Sequence, residues 1–382
     1  MKLFEFEAKK FFGDAGIKVP KGYVVDDKKQ AREAYSKIGV KEVVVKAQVL
    51  VGGRGKAGGI KFAQSAEELE KVVGEMLSSK IKGESVKKVL IEEKLPIKKE
   101  LYLGITWDRS NRAPVVIASS QGGMDIEEVA KSNPKAIAKV LVEQELGFEP
   151  FIGRELAFSI GLSGQLCQEF GQICFKLYKL FENFDAELIE INPLVITNDN
   201  TLVAADARLN ISDDALFRHV ELNQLSEERL GELTPLEAKA RKLGVQYVEL
   251  DGSIGVIGNG AGLTMSTLDV VKYYGGAPAN FLDAGGGSSE REFVQALEIL
   301  NQNPKVKLIF VNILAGITRC DEVAKAIVKA KDELGVKKPF VIRLAGTNEK
   351  EGRAILEQAG LNAFSDMEEA AKHAVELVKK LG

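Results

Sequence analysis

The sequence predicts two joined fold classes: an α+β half at the N-terminus and, from Ser253 onward, an α/β half built on a parallel, doubly wound sheet. Three observations carry this. Short apolar runs at Ser253–Gly258, Ala279–Asp283, Lys307–Ile313, Pro339–Leu344 and Asn362–Phe364 each precede a helical stretch, the βα rhythm of a parallel sheet. Runs such as LIFVNIL and FVIRL are apolar throughout, as strands covered by helices on both faces must be. In the first 220 residues the strands instead come in pairs with helices between them: Val43–Val49 with Gly59–Phe62, Val89–Glu93 with Glu100–Trp107, and Glu187–Thr197 with Thr201–Leu209.

Helix starts in the second half carry their own signals. Ser289 with Glu292, Asn348 with Glu351 and Asp366 with Glu369 have capping-box spacing. Thr234-Pro235-Leu236-Glu237 places a cap residue, then Pro at the first helical position, then Glu at the third. That helix marks the join, so the expected domains are 1–235 and 236–382. A chain of 382 residues is long enough for two or three domains with separate cores.

Composition narrows the function classes. Fifty-two Lys+Arg against 55 Asp+Glu give a net charge of −3, so no overall cationic field exists to hold nucleic acid or an anionic membrane. Hydrophobic residues at 45% and charged residues at 28% are those of an ordinary globular protein. The N-terminal MKLFEFEAKKFF lacks the apolar core of a signal peptide, and no run of about 20 apolar residues reads as a membrane span. Three cysteines cannot build a disulfide framework, and a reducing, soluble, cytoplasmic setting is expected. Cys167 and Cys174 share a face of a helix spanning Leu166 to Phe184 and read as buried thiols rather than metal ligands.

Glycine is the unusual count. Thirty-seven exceed the roughly 27 expected at average usage, and the excess is clustered. The first cluster lies in VVVKAQVLVGGRGKAGGIKF, between two strands. It is not a Walker A loop, because Ala57 and more glycine follow Lys56 where a helix should start. Two readings stand here: a lid whose amides close on phosphate oxygens with Lys46, Arg54 and Lys56, or a solvated glycine-rich hairpin tip. A turn centred on Asp199 sets Asn192 opposite Asp206 and Glu190 opposite Arg208 on one face of a ribbon. An Asn oxygen beside an Asp carboxylate suits Mg²⁺, which completes its shell with water and phosphate; a hydrogen-bonded polar pair is the plainer alternative.

In the second half Gly258-Asn259-Gly260-Ala261-Gly262-Leu263 follows a strand and opens a helix, without matching the dinucleotide fingerprint. Asp283-Ala284-Gly285-Gly286-Gly287-Ser288 and Leu314-Ala315-Gly316-Ile317-Thr318 likewise sit at strand ends before helices, where free amides attract anions. His219 and His373 lack neighbouring Ser, Cys or acidic motifs and read as surface residues. A phosphorylated histidine, if the chemistry uses one, belongs to another chain.

Taken together, VVVKAQVLVGGRGKAGG, KELYLG, LIEINPLV, NGAGLTM, GGAPANFLDAGGG and RCDEVA occur in the order found in the β subunits of ADP-forming succinate–CoA ligases, and the resemblance covers essentially the whole chain. It implies an ATP-grasp domain followed by a flavodoxin-like CoA-ligase domain. It further implies an α-subunit partner that binds coenzyme A and carries a phosphohistidine. By matching motif, Lys46, Gly53, Arg54, Gly55, Glu92, Leu95 and Glu100 would line the ATP/ADP site, and Asn192 and Asp206 would hold Mg²⁺. Glu190 would be the catalytic residue that orients the phosphohistidine, and Asn259, Gly316, Ile317 and Thr318 would face the acid substrate. Two departures from the family pattern stand out. Ala-Arg-Leu-Asn-Ile-Ser-Asp-Asp follows Asp206, and Ala315 replaces a glycine common at that position and, together with SQGGMDIEEVA and RLAGTN, resembles the related malate–CoA ligases. Succinate is the expected acid, with malate or citrate as the alternative; a non-catalytic nucleotide-binding assembly subunit is the reading from another class.

Overall fold

A computed structural model of the chain describes residues 1–228 and 233–381. Its contacts divide the chain into two compact units, Met1–Gln224 and Leu225–Gly382.

The first unit holds two larger antiparallel sheets. One contains β1 (Gly22–Val25), β2 (Val43–Ala47), β3 (Ile60–Ala63) and β4 (Val89–Glu93), in the order β1-β4-β2-β3. The other contains β5 (Ile97–Asp108), β6 (Ala113–Ser119), β7 (Ile137–Leu141), β8 (Ala186–Thr197), β9 (Leu202–Ala204) and β10 (Arg208–Ile211). The pairing of β2 with β3 agrees with the sequence reading, with Val43 opposite Ala63.

The second expected pair does not form. β4 and β5 follow each other in sequence but lie in different sheets, with Lys94, Leu95 and Pro96 between them. The reason is burial: β4 is a central strand whose Val89, Leu90, Ile91 and Glu92 are all buried, and both its edges are taken by β1 and β2. No ladder position is left for β5, which pairs with β6 and β8 instead.

The third pair holds its expected register on both sides of an interruption. β8 runs unbroken through Ala186–Thr197, while its partner breaks into β9 and β10. Leu194 faces Ala204 before the break and Glu190 faces Arg208 after it. Asn192 and Asp206 therefore meet where the ladder is open, and the Asn192–Pro193 peptide is cis at that point.

The second unit matches the predicted doubly wound sheet. The strands are β11 (Gln246–Glu249), β12 (Ile254–Gly258), β13 (Asn280–Asp283), β14 (Leu308–Ala315), β15 (Phe340–Gly346) and β16 (Ala363–Phe364), ordered β11-β13-β12-β14-β15-β16. Leaving out β11, this is the flavodoxin-like order, with its switch point between β12 and β14. The periodicity reading missed the edge strand β11, which is short and antiparallel to β13. The capping boxes at Ser289 and Thr234 form, with Ser289 N donating to Glu292 Oε2 at 2.7 Å and Thr234 N to Glu237 Oε2 at 3.0 Å. At Asp366 the cap bond comes from Glu369 N at 2.9 Å. Asn348 forms no such box: its φ is +56° and its amide donates to Asp321 Oδ1 at 3.0 Å.

Candidate functional site

The first unit contains a cleft of about 660 Å³. Against it lies a cluster of six charged side chains drawn from five places in the chain, all but Lys9 lining the cleft. Helix α1 (Glu5–Asp14) has Glu5 and Lys9 one turn apart, on the same buried face as Ala8 and Phe12. Lys46 on β2 faces Leu90 in register, so Glu92 on β4 is its diagonal neighbour on the same face of the sheet. Arg54 comes from the glycine-rich loop, and Asp206 from the break between β9 and β10.

The contacts interlock. Glu5 accepts from Lys46 at 2.9 Å, from Lys9 at 2.8 Å and from Arg54. Lys46 also pairs with Glu92 Oε2 at 2.7 Å, and Arg54 Nη2 donates to Asp206 Oδ1 at 3.0 Å. Three carboxylates thus face three cations in a neutral set, buried except at Asp206, whose side chain is 34% exposed, and such pairing is the condition under which buried charges are tolerated. Burial alone would raise the Glu5 pKa, but Arg54, Lys46 and Lys9 hold it well below the usual carboxylate range. Burial alone would lower the Lys46 pKa, yet Glu5 and Glu92 push it up. For Asp206, burial outweighs Arg54 and raises the carboxyl.

Around this cluster the cleft collects every residue that the resemblance placed at the nucleotide, the metal and the catalytic position: Lys46, Gly53, Arg54, Gly55, Glu92, Leu95, Glu100, Asn192, Asp206 and Glu190. Of the three basic residues expected to close on phosphate, two are buried in the cluster and the third is not. Lys56 is exposed and pairs with Asp125 at 2.8 Å and Glu128 at 3.3 Å. The loop is further tied down where Lys82 donates to the Gly52 carbonyl at 2.7 Å. Gly53 and Gly58 have φ of +70° and +78°, values that suit glycine.

Asn192 has its amide fully oriented. Oδ1 accepts from Gly123 N at 2.8 Å, and Nδ2 donates to the Met124 carbonyl at 2.9 Å. The oxygen therefore stays in place with acceptor capacity left over. Both hydrogen bonds on Asp206, from Arg54 Nη2 and from Ala207 N at 2.7 Å, fall on Oδ1. Oδ2 retains the capacity to bind a cation. Two hard oxygen donors fit Mg²⁺, and among the described residues no group of three or more His, Cys, Asp or Glu makes a self-sufficient metal site.

Glu190 faces Arg208 at 3.8 Å and accepts from Asn192 Nδ2 at 3.4 Å. Burial raises its pKa above the usual value, and neighbouring Asp206 and Glu127 add to this against Arg208 and Asn192. His219 is not the surface residue expected from sequence: its side chain is 15% exposed and Nε2 lies 2.8 Å from Asp185 Oδ2. His373 is exposed; Cys174 is buried as expected and so is Cys320, but Cys167, expected to be buried, is only partly so.

In the second unit the loops after β12, β13 and β14 converge at the carboxyl end of the sheet. Asn259 Nδ2 donates to the Leu314 carbonyl at 3.0 Å while Leu314 N donates back to Asn259 Oδ1 at 3.0 Å. Thr318 Oγ1 accepts from Asn259 Nδ2 at 3.3 Å and from Gly287 N at 3.0 Å. Gly316 is held through its carbonyl by Thr347 Oγ1 at 2.7 Å, and Ile317 is 85% exposed. Asn259 and Thr318 are thus joined with Leu314 and Gly287 in one hydrogen-bonded rim at the switch point, with Gly316 held separately by Thr347 and Ile317 presented outward.

Residues 2–196 match the ATP-grasp domain family and residues 257–377 match the CoA-ligase family. The succinate–CoA ligase [ADP-forming] subunit beta of Staphylothermus marinus is 49% identical over 381 residues, with all of both chains covered. Its counterpart from Ignicoccus hospitalis is 52% identical, covering 99% of this chain and all of that one. The chain belongs to the ADP-forming succinate–CoA ligase β-subunit family. In fold, this family member also resembles an ATP citrate lyase from Methanothrix soehngenii, solved in complex with citrate and coenzyme A; the TM-score is 0.73 at 17% identity over 98% of this chain and 99% of that one. Within the ATP-grasp part of this β-subunit relative, sequence reasoning missed Glu5 and Lys9. Their one signal was an acid and a base spaced i, i+4 on the apolar face of α1.

Proposed function

We propose that this chain is the β subunit of a succinate–CoA ligase that interconverts succinyl-CoA, ADP and phosphate with succinate, CoA and ATP. One observation carries the reading for this chain: Lys46, Arg54, Glu190, Asn192 and Asp206 all line the same cleft. The full-length relatives at 49% and 52% identity bear the corresponding name. Lys46, the amides of Gly53–Gly55 and Arg54 bind the nucleotide phosphates, with Glu92, Leu95 and Glu100 completing that site. Asn192 and Asp206 hold Mg²⁺, which when bound neutralises charge on the phosphates. Glu190 accepts a hydrogen bond from the phosphorylated histidine of the α subunit, which also binds coenzyme A. Asn259, Gly316, Ile317 and Thr318 form the part of the acid-substrate site that this chain supplies. The unpaired cysteines favour a reducing, cytoplasmic location, and among the described residues no helix is long and apolar enough to cross a membrane.

Ala315, one of three features shared with malate–CoA ligases, is 7% exposed and packs in the core of the second unit. The test is to co-express the chain with its α partner and measure ADP release with succinate, malate and citrate. Succinate-dependent release is expected. Its absence overturns the proposal, and release with malate or citrate alone reassigns the substrate.

A further inference from the structure

Lys9 and Lys46 share the same three acceptor residues. The Lys46 ammonium contacts Glu5 Oε1 at 2.9 Å, Glu92 Oε2 at 2.7 Å and the Ala205 carbonyl at 2.6 Å. Lys9, reaching in from α1, contacts Glu5 Oε1 at 2.8 Å, Glu92 Oε1 at 2.5 Å and the Ala205 carbonyl at 2.8 Å. Lys46 hydrogen-bonds Glu5 Oε1 and the Ala205 carbonyl and forms an ion pair with Glu92 Oε2, so its charge is committed to two buried carboxylates while these contacts last.

The two lysines differ in access. Lys46 lines the cleft, whereas Lys9 lies behind it with a side chain 6% exposed. For Lys46 to turn its charge toward a phosphate it must loosen its hold on Glu5 and Glu92. Stripping two buried carboxylates of their counter-ion is strongly unfavourable unless a second cation stays on them. Lys9 is already in that place.

We propose that Lys9 is a positioning residue of the nucleotide site: the resident counter-ion that keeps Glu5, Glu92 and the Ala205 carbonyl satisfied, so that Lys46 is free to bind phosphate. The inference rests on the reading of the cleft as a nucleotide site. It assigns the paired lysines different jobs, one exchanging partners with each nucleotide and the other never doing so. It also makes Glu5 the group that sets how strongly Lys46 is held back.

The test titrates ADP with excess Mg²⁺ into the full-length chain and its variants, with thermal midpoints measured in parallel. Lys46→Met loses ADP binding if the nucleotide reading is right; wild-type affinity in this variant overturns that reading by itself. Lys9→Met leaves Lys46 as sole counter-ion and is expected to weaken ADP binding by about tenfold or more. Lys9→Met/Glu5→Gln removes one charge of each sign and lightens the load on Lys46, so affinity is expected to return to within about threefold of wild type. Wild-type affinity in Lys9→Met overturns the inference, and so does a double variant that melts normally yet binds as weakly as Lys9→Met. Should Lys9→Met fail to fold, Glu5→Gln is compared with the double variant. Tighter ADP binding in Glu5→Gln is expected, because Lys9 still covers Glu92, and equal or weaker binding overturns the assignment.

Discussion

Arg54 Nη2 donates to Asp206 Oδ1 at 3.0 Å, so a cation from the glycine-rich loop already sits on a carboxylate assigned to the metal. Arg54 is anchored on Glu5 as well, and its bond to Asp206 falls on Oδ1, so the assignment leaves Oδ2 to the cation.

Asp206→Ala tests the metal assignment. Arg54 remains paired with Glu5, so the variant is expected to fold, while one of two protein ligands disappears. Mn²⁺ binding followed by electron paramagnetic resonance should weaken, and phosphoryl transfer in the assembled enzyme should fall by about 100-fold or more. An unchanged transfer rate sinks the metal assignment and favours a non-catalytic binding subunit.

Glu190 supplies a pH signature. Burial raises its carboxyl pKa above that of the unfolded chain, so the folded protein binds a proton more readily there. Charging Glu190 is a destabilising term that is fully present above the folded pKa and disappears below the unfolded value of about 4.3. Glu190→Gln is therefore expected to raise Tm at neutral pH, by roughly 1–3 °C, with the gain vanishing as pH falls. Activity runs the other way, because only the ionised carboxylate makes a charge-assisted hydrogen bond with an imidazole N–H. The acid limb of the wild-type rate profile should lie above the ordinary carboxylate range, and no such limb should remain in Glu190→Gln.

How much of this was legible in the sequence follows from the range of each interaction. The turn at Asp199 fixed the neighbours of Asn192 and Glu190, because hairpin register is local and set by its loop. The parallel strands were legible for a similar reason: burial on both faces leaves an unbroken apolar run. The separation of β4 from β5 was not, since it depends on β1 and β2 occupying both edges of β4. Glu5 and Lys9 were also hidden. A buried ion pair on a helix looks in sequence like any i, i+4 surface pair, and only the arrival of Lys46, Glu92 and Arg54 makes it part of a site.

Gly122 places Asn192 indirectly. A Cβ at this position would lie 2.3 Å from the Leu101 carbonyl oxygen and 2.7 Å from Leu101 N, backbone atoms of β5 that cannot give way. Gly122 N also donates to the Glu100 carbonyl at 3.1 Å, and the next residue supplies the amide that orients Asn192. Gly122→Ala should push this segment off β5 and destabilise the protein by about 1–3 kcal/mol. Thermal melts would register that cost, and Mn²⁺ affinity should fall with it. A variant with unchanged metal affinity would show that Asn192 does not depend on this loop.

Asn259→Asp separates the two sites. The Asn259 side chain donates to the Leu314 carbonyl and accepts from Leu314 N, which fixes the tip of β14 beside Thr318. Aspartate keeps the acceptor but loses the donor, setting a charged oxygen against the Leu314 carbonyl. Those contacts all lie within the second unit, and none involves Lys46, Arg54 or Asp206. The assembled Asn259→Asp enzyme should therefore show a KM for succinate raised by about tenfold or more, with the Kd for ADP unchanged. Equal losses in both constants would mean that Asn259 supports the assembly as a whole rather than the acid-substrate loop.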